Sequence, residues 1–280
     1  MRLAKMMRLS VLRLRPTRAF STVVQDEVQK FNSASSDWWA PKSTTGMGPL
    51  HQMNPVRVKY IRTHIINHFG HSTDDDPVPL RGFRVADVGC GGGILSEALC
   101  RIGGTIVAVD PGEENIAAAK KHAAMCRYTS SIDYRLCTSD DLVAQGEQFD
   151  VACSLEVIEH VSNVPAFLHS LSRTGEGEYQ FYAGACGPGG LVFLSSINRT
   201  VLSALFAIGA AEYVMRIVPP GTHDWNKFVR PGEIEVELRK DGFTLKDVSG
   251  IVGDPIFKSW RIHPTCPDIN YIMCASKSQE

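Results

Sequence analysis

The chain predicts an α/β fold on a mostly parallel sheet, and three observations carry that prediction. An apolar run at 84–89 passes directly into Gly89-Cys90-Gly91-Gly92-Gly93 and then into an apolar helix ending near residue 102. A second apolar run, 105–110, ends on Asp110. Helix-like and strand-like segments then alternate to about residue 197, the order that yields parallel strands joined by right-handed crossovers.

Residues 1–20 hold Arg2, Arg8, Arg13, Arg15, Arg18 and Lys5, mixed with Leu and Met at helical spacing, and no acid occurs before Asp26. That composition is expected of a mitochondrial presequence cleaved after Phe20, two residues beyond Arg18; a disordered basic tail is the alternative. Residues 21–80 are expected as an N-terminal helical cap and linker. They hold a helix over 26–40 ending at Trp38-Trp39, a loop over 41–50, and a polar stretch after residue 70. Between loop and polar stretch lies a helix over 54–69, with Pro55 near its start and Val58, Ile61, Ile65 and Phe69 on one face.

Residues 81–280 are expected as one domain. Strands are read at 84–89, 105–110, 132–137, 149–155 and 191–197, with helices at 93–102, 113–125 and from about 163. A helix near 231–241 and strands at about 244–252 and 269–276 follow, the last two as an antiparallel hairpin at the sheet edge. The total is seven strands with flanking helices. Residues 174–187, with three glycines before Gly187-Pro188-Gly189-Gly190, fit no element. They read as a surface insertion or as a gene-prediction error.

At 280 residues, 44% hydrophobic and 21% charged, the chain has an ordinary globular composition, and it contains no run of 18 apolar residues. Eight cysteines form no CxxC pair, so reduced, buried thiols are expected rather than zinc ligands or disulfides. Net charge is −1; loss of residues 1–20 leaves 23 basic against 30 acidic residues, about −7, which argues against a nucleic-acid partner.

The glycine run reads as a strand-to-helix turn whose bare backbone a ligand approaches. Position 94 is Ile, so the dinucleotide pattern G-x-G-x-x-G is broken. Asp110, 17 residues past Gly93, ends the next strand, where a carboxylate can hold ribose hydroxyls. This spacing resembles the nucleotide loop of Rossmann-like S-adenosylmethionine-dependent methyltransferases. Leu155, at a later strand tip, reads equally as an adenine wall or as plain core.

Glu156, Glu159 and His160 fall at i, i+3 and i+4. A helical turn would place them on one face, half a shell for Mg²⁺ with positions left for substrate; local capping is the competing reading. Arg57 is placed to pair with a carboxylate, or is an ordinary surface arginine. The apolar run 201–218 could lie on a membrane surface, cover a greasy substrate or form a buried helix.

Several motifs together resemble one family, the ubiquinone-biosynthesis O-methyltransferases, over roughly residues 28–275. They are Trp38-Trp39-x-Pro41, Leu50-His51-x-x-Asn54-Pro55-x-Arg57-x-x-Tyr60-Ile61, Asp87-Val-Gly-Cys-Gly-Gly-Gly-Ile-Leu95 and Glu156-x-x-Glu159-His160-Val161. Further on come Ser196-Ile-Asn198-Arg199, Gly209-Ala-x-Glu212-Tyr213, Pro220-Gly-Thr-His223-Asp224-x-x-Lys227-Phe228 and Asn270-Tyr271. The resemblance implies a class I methyltransferase fold and methyl transfer from S-adenosylmethionine to a phenolic oxygen of polyprenyl-dihydroxybenzoate and of demethylubiquinol. It implies cofactor contacts at Arg57, Gly89, Gly91, Asp110 and Leu155, and Mg²⁺ ligands at Glu156, Glu159 and His160. Membrane contact is implied around 198–228, with work on the matrix face of the inner membrane inside a biosynthetic complex. Leu155 departs from the Ser or Met frequent in relatives, and 174–187 has no counterpart. No general base is assigned; His223, Asp224 and Lys227 are weak candidates. A methyltransferase for another small phenol or carboxylate, and a non-catalytic cofactor-binding scaffold, are the alternatives.

Overall fold

The computed structural model describes residues 22–40, 47–70, 75–172, 185–206, 208, 224–254 and 259–279. The expected presequence, residues 174–184 of the expected insertion and most of the apolar run after Phe206 lie outside the described residues.

The strands are β1 (Arg84–Val88), β2 (Thr105–Asp110), β3 (Asp133–Leu136), β4 (Phe149–Leu155), β5 (Cys186–Ile197), β6 (Phe243–Asp254), β7 (Ser259–His263) and β8 (Asn270–Lys277). They form one sheet in the order β3-β2-β1-β4-β5-β8-β6-β7. The first five are parallel; β8 runs antiparallel to β5, β6 to β8 and β7 to β6.

Strand residues alternate between two apolar layers, which is why these strands read as unbroken apolar runs. Val85, Val151 and Leu191 face one layer with Ile61 and Ile65 of α2 (Met47–Phe69), Leu99 of α3 (Ile94–Arg101) and Ala119 of α4 (Glu113–Ala123). Ala86, Ala152 and Val192 face the other, with Leu142 of α5 (Ser139–Ala144), Leu168 of α6 (Val164–Ser172) and Leu238 of α7 (Pro231–Lys240). The strand order reverses between β1 and β4, so the crevice beyond their carboxyl ends is where a ligand binds in such a sheet.

Several expectations are corrected. Among the described residues the sheet has eight strands, not seven: β7 is five residues long and lies at the edge, with no residue fully buried, so it carries no apolar run. The 244–252 and 269–276 strands do pair, but β8 sits between β5 and β6, and the edge hairpin is β6–β7. α2 begins at Met47, and Pro55 lies inside it rather than near its start. α1 (Gln25–Ser33) ends well before Trp38, and a 3-10 turn, Ser35–Asp37, intervenes. β5 starts at Cys186, inside the stretch read as an insertion, because Cys186 pairs with Phe149. All eight cysteines are free, four of them buried.

Candidate cofactor site and adjoining carboxylate turn

The glycine loop leaves β1 with Gly89, Gly91 and Gly93 at φ 75°, 52° and 84°, conformations that L-residues rarely adopt. The groups that approach it are partly the protein's own. A Cβ on Gly91 would stand 2.3 Å from Trp38 Cη2, and one on Gly92 2.3 Å from Trp38 Cγ. The indole therefore lies along the loop, so room for a ligand is not the whole reason for glycine there. His51 meets the Trp38 carbonyl at 2.6 Å, and Trp39 Nε1 donates to Gly92 O at 2.9 Å. Trp39 also stacks on His122 at 3.4 Å, and His122 pairs with the fully buried Glu97 at 2.6 Å.

Asp110 is buried at the end of β2. Its Oδ2 accepts from Gly91 N at 2.9 Å, and its Oδ1 accepts from Gly112 N at 2.7 Å and Asn115 Nδ2 at 3.1 Å. Burial pushes its carboxyl up, against the pull of those three bonds. Leu155 closes β4 and is buried in the core layer that contains α2.

Arg57 is 4% exposed, which removes the surface-arginine reading. Its Nη2 donates to Leu50 O at 3.2 Å, while its Nε is buried without a partner. Burial lowers its pKa, opposed by the nearby charges of Glu156 and Asp87. One turn earlier, Asn54 Nδ2 donates to Ile94 O at 3.1 Å, which fixes the amide and leaves its buried Oδ1 without a partner. A buried unpaired group costs about 1–3 kcal/mol, more when charged, so an orphan donor and an orphan acceptor on one helix turn mark a place for a ligand. A zwitterionic amino-acid arm carries the matching carboxylate and ammonium, so these residues fit S-adenosylmethionine. Asp87, at the base of the loop, is held by Ser96 and pushed up to about 6, chiefly by burial.

The turn after β4 departs from the expected helix. Glu156 stands at φ 59°, and the 3-10 turn begins only at Ile158 and covers Ile158–His160. The left-handed residue breaks the i, i+3, i+4 register, so the one-face argument does not hold. Glu156 Oε1 accepts from Ser195 Oγ at 2.6 Å, and Glu159 Oε2 accepts from Ser196 Oγ at 2.8 Å. His160 Nδ1 meets Glu27 Oε2 at 3.1 Å. Burial raises the pKa of Glu159, with the Glu156 charge adding to it and His160 opposing. Among the described residues no three His, Cys, Asp or Glu groups converge as a metal site. As they stand the three do not fit a shared ion. A non-glycine residue at positive φ costs about 1–3 kcal/mol and persists where the surroundings impose it, here the Ser195 bond and the Glu156 N–H to Ser195 O at 3.0 Å.

Of the weak general-base candidates, His223 lies outside the described residues. Asp224 caps a 3-10 turn by accepting from Asn226 N, and Lys227 pairs with Glu27 at 2.6 Å. Glu27 thus joins His160 to Lys227, and its carboxyl is lowered to about 2, first by the His160 hydrogen bond. Sequence reasoning missed Glu27, Asn54, Asn115 and Ser195. Their only signal was position: Asn54 within the Arg57 motif and Ser195 beside Ser196.

A mostly parallel sheet with a glycine loop after its first strand, an acid ending the second and a buried arginine near Glu156 and Asp87 is the architecture of the class I S-adenosylmethionine-dependent methyltransferases. Residues 86–176 match the methyltransferase domain family. The magnesium protoporphyrin IX methyltransferase of Synechocystis PCC 6803 with bound S-adenosylhomocysteine shares the fold, at TM-score 0.59 and 17% identity over 91% of this chain and 99% of that one. The ubiquinone biosynthesis O-methyltransferase of Azorhizobium caulinodans is 42% identical over 91% of this chain and 94% of its own length. That of Rhizobium rhizogenes is 40% identical over 93% and 98%. The chain belongs to the ubiquinone biosynthesis O-methyltransferase family.

Proposed function

We propose that this enzyme methylates a phenolic oxygen of polyprenyl-dihydroxybenzoate and of demethylubiquinol, with S-adenosylmethionine as donor. The observation that carries the reading is the end-to-end likeness to ubiquinone biosynthesis O-methyltransferases; the buried Arg57 and Asn54 supply the cofactor chemistry that likeness requires.

S-adenosylmethionine, when bound, supplies an electrophilic methyl group on a sulfonium. The protein's task is alignment and charge. Arg57 holds the carboxylate of the amino-acid arm, Asn54 Oδ1 accepts from its ammonium, and Asp110 accepts from the ribose. Gly89 and Gly91 bring backbone close, and Leu155 walls the adenine. In-line attack needs the acceptor oxygen near the methyl and ionised, and fixing that geometry removes much of the barrier. Glu156, Glu159 and His160, beyond β4, border the acceptor side. A phenol with a pKa of about 10 must lose its proton there. Glu156, at positive φ, and Glu159, whose carboxyl burial raises, are the groups this reading assigns to hold or take it.

Mg²⁺ is the second reading of the same three residues. Their donor chemistry suits it, but Ser195, Ser196 and Glu27 would have to release them first. The basic residues 1–20 and the family resemblance support a mitochondrial matrix location. The exposed Val201, Leu202, Leu205 and Phe206 support peripheral contact with the inner membrane, where a prenyl tail resides. Among the described residues no helix is long and apolar enough to cross a membrane. The same resemblance is the support for membership of a multi-subunit biosynthetic complex.

The test is methyl transfer from labelled S-adenosylmethionine to a short-tailed demethylubiquinol, with EDTA and with added Mg²⁺. Labelled product supports the substrate class, and loss of rate in EDTA with recovery in Mg²⁺ supports ligation. Equal rates in both arms leave the two carboxylates and the imidazole with the acceptor alone. Cofactor binding without transfer overturns the substrate assignment.

A further inference from the structure

Residues 22–40 span both halves of the site. At one end Thr22 and Val23 pair with Ser162 and Val161, and Glu27 and Phe31 of α1 contact His160. At the other end Trp38 does more than pack on the glycine loop. Its Nε1 donates to Asn115 Oδ1 at 2.8 Å, in the interior, and Asn115 Nδ2 donates to Asp110 Oδ1 at 3.1 Å.

An indole N–H can only donate. Trp38 therefore selects which end of the Asn115 amide faces Asp110. With Nδ2 turned to the carboxylate, the amide holds it; reversed, two oxygens would oppose each other. Space at this junction is kept by Gly112, where a Cβ would stand 2.6 Å from Asn32 Oδ1, 2.7 Å from Asn115 Nδ2 and 2.9 Å from Asp110 Oδ1. A carboxylate accepts about four hydrogen bonds. Three are spent on Gly91 N, Gly112 N and Asn115, two of them at Oδ1. The acceptor position left for a ligand is on Oδ2, and its direction depends on how Oδ1 is pinned.

We propose that Trp38 is a positioning residue of the cofactor site: through Asn115 it orients the Asp110 carboxylate toward a ribose hydroxyl, so the N-terminal cap is a working part of cofactor recognition. This rests on Asp110 being the ribose acceptor.

The test compares the affinity of the full chain for S-adenosylhomocysteine and for its 2′,3′-dideoxy analogue, by calorimetry. Trp38→Phe deletes the N–H together with part of the ring that lies on Gly91 and Gly92, so lost packing should weaken both ligands alike and the lost relay only the ligand that has ribose hydroxyls. The substitution is expected to weaken S-adenosylhomocysteine roughly tenfold more than the dideoxy analogue, the loss of about one hydrogen bond's worth of discrimination. The dideoxy analogue should change only by the lost packing, because it has no hydroxyl to misplace. Asn115→Ala should do the same and carries the test if Trp38→Phe fails to fold. Equal weakening of both ligands, as expected if the indole only holds the cap down, overturns the proposal, as does no change in either. Asp110→Ala separates the two levels. If it abolishes the discrimination while Trp38→Phe does not, only the positioning role fails. If it leaves the discrimination intact, the ribose reading of Asp110 fails with it.

Discussion

Arg57→Met should uncouple the amino-acid arm of the cofactor from the rest of it. Arg57 is buried on α2, bonded through Nη2 to one carbonyl, with Nε facing no partner. A bound carboxylate would gain charge-assisted bonds from that side, each worth about 1.5 kcal/mol or more. Two of them amount to about 3 kcal/mol, on the order of a hundredfold in affinity for S-adenosylhomocysteine. The control ligand is 5′-methylthioadenosine, which keeps the nucleoside and lacks the amino-acid arm; its affinity should change by less than about threefold, since nothing it presents meets Arg57. Calorimetric titration of both ligands gives the ratio directly. The substitution also strips Asp87 and Glu156 of a neighbouring cation, so thermal unfolding is followed in parallel. Arg57→Lys keeps the charge without the planar fork and should fall between the two. Equal losses for the two ligands, or a change in S-adenosylhomocysteine affinity below about threefold, would refute the assignment.

Asp87 gives a pH signature. Burial raises its carboxyl from 3.8 to about 6, so the native chain holds that proton more tightly than the unfolded one. Its contribution to stability is full below the unfolded value and is lost as pH rises through about 6, a swing of about 3 kcal/mol. In urea unfolding of the ligand-free protein, the stability difference between the natural chain and Asp87→Asn should shift by that order between about pH 4 and 7, and a flat difference contradicts it. Glu156→Gly relieves the positive φ; stability should hold or rise by up to about 1 kcal/mol while turnover falls on the order of a hundredfold or more. Retained turnover with lower stability would make Glu156 structural only. Leu205 and Phe206 are 60% and 51% exposed. Converting both to Glu should weaken sedimentation with anionic vesicles at least about tenfold, and unchanged binding would remove this segment from the membrane contact.

What was legible in the sequence had a local cause. β1, β2, β4 and β5 are covered on both faces and so spell out as apolar runs bounded by glycine and acid. The loop and Asp110 followed from that frame; Arg57, on a helix before the sheet, read equally as a surface arginine until the family motif around it was recognised. β7 was hidden because an edge strand needs little apolar sequence, and the six residues of α5 were hidden by their brevity, its capping box at Thr138 and Asp141 being the one cue. The helical reading of 156–160 failed at a single dihedral. Nothing in the spacing of Glu156, Glu159 and His160 signals a left-handed residue imposed by Ser195, 39 positions away. The Trp38–Asn115 bond joins residues 77 apart, and such a contact has no sequence period to betray it. Trp38-Trp39 was visible as a family motif, but its physical role required the sheet to bring α4 beside the cap.

The most direct measurement is kcat/KM for a catechol acceptor with and without a short prenyl tail, with the methylated atom in the product identified by NMR. For a prenylated-phenol O-methyltransferase the tail should raise kcat/KM at least about tenfold, the worth of a couple of buried methylenes, and the methyl should sit on a phenolic oxygen. Equal rates for the two acceptors, or a methyl group on carbon or a carboxylate, would contradict it.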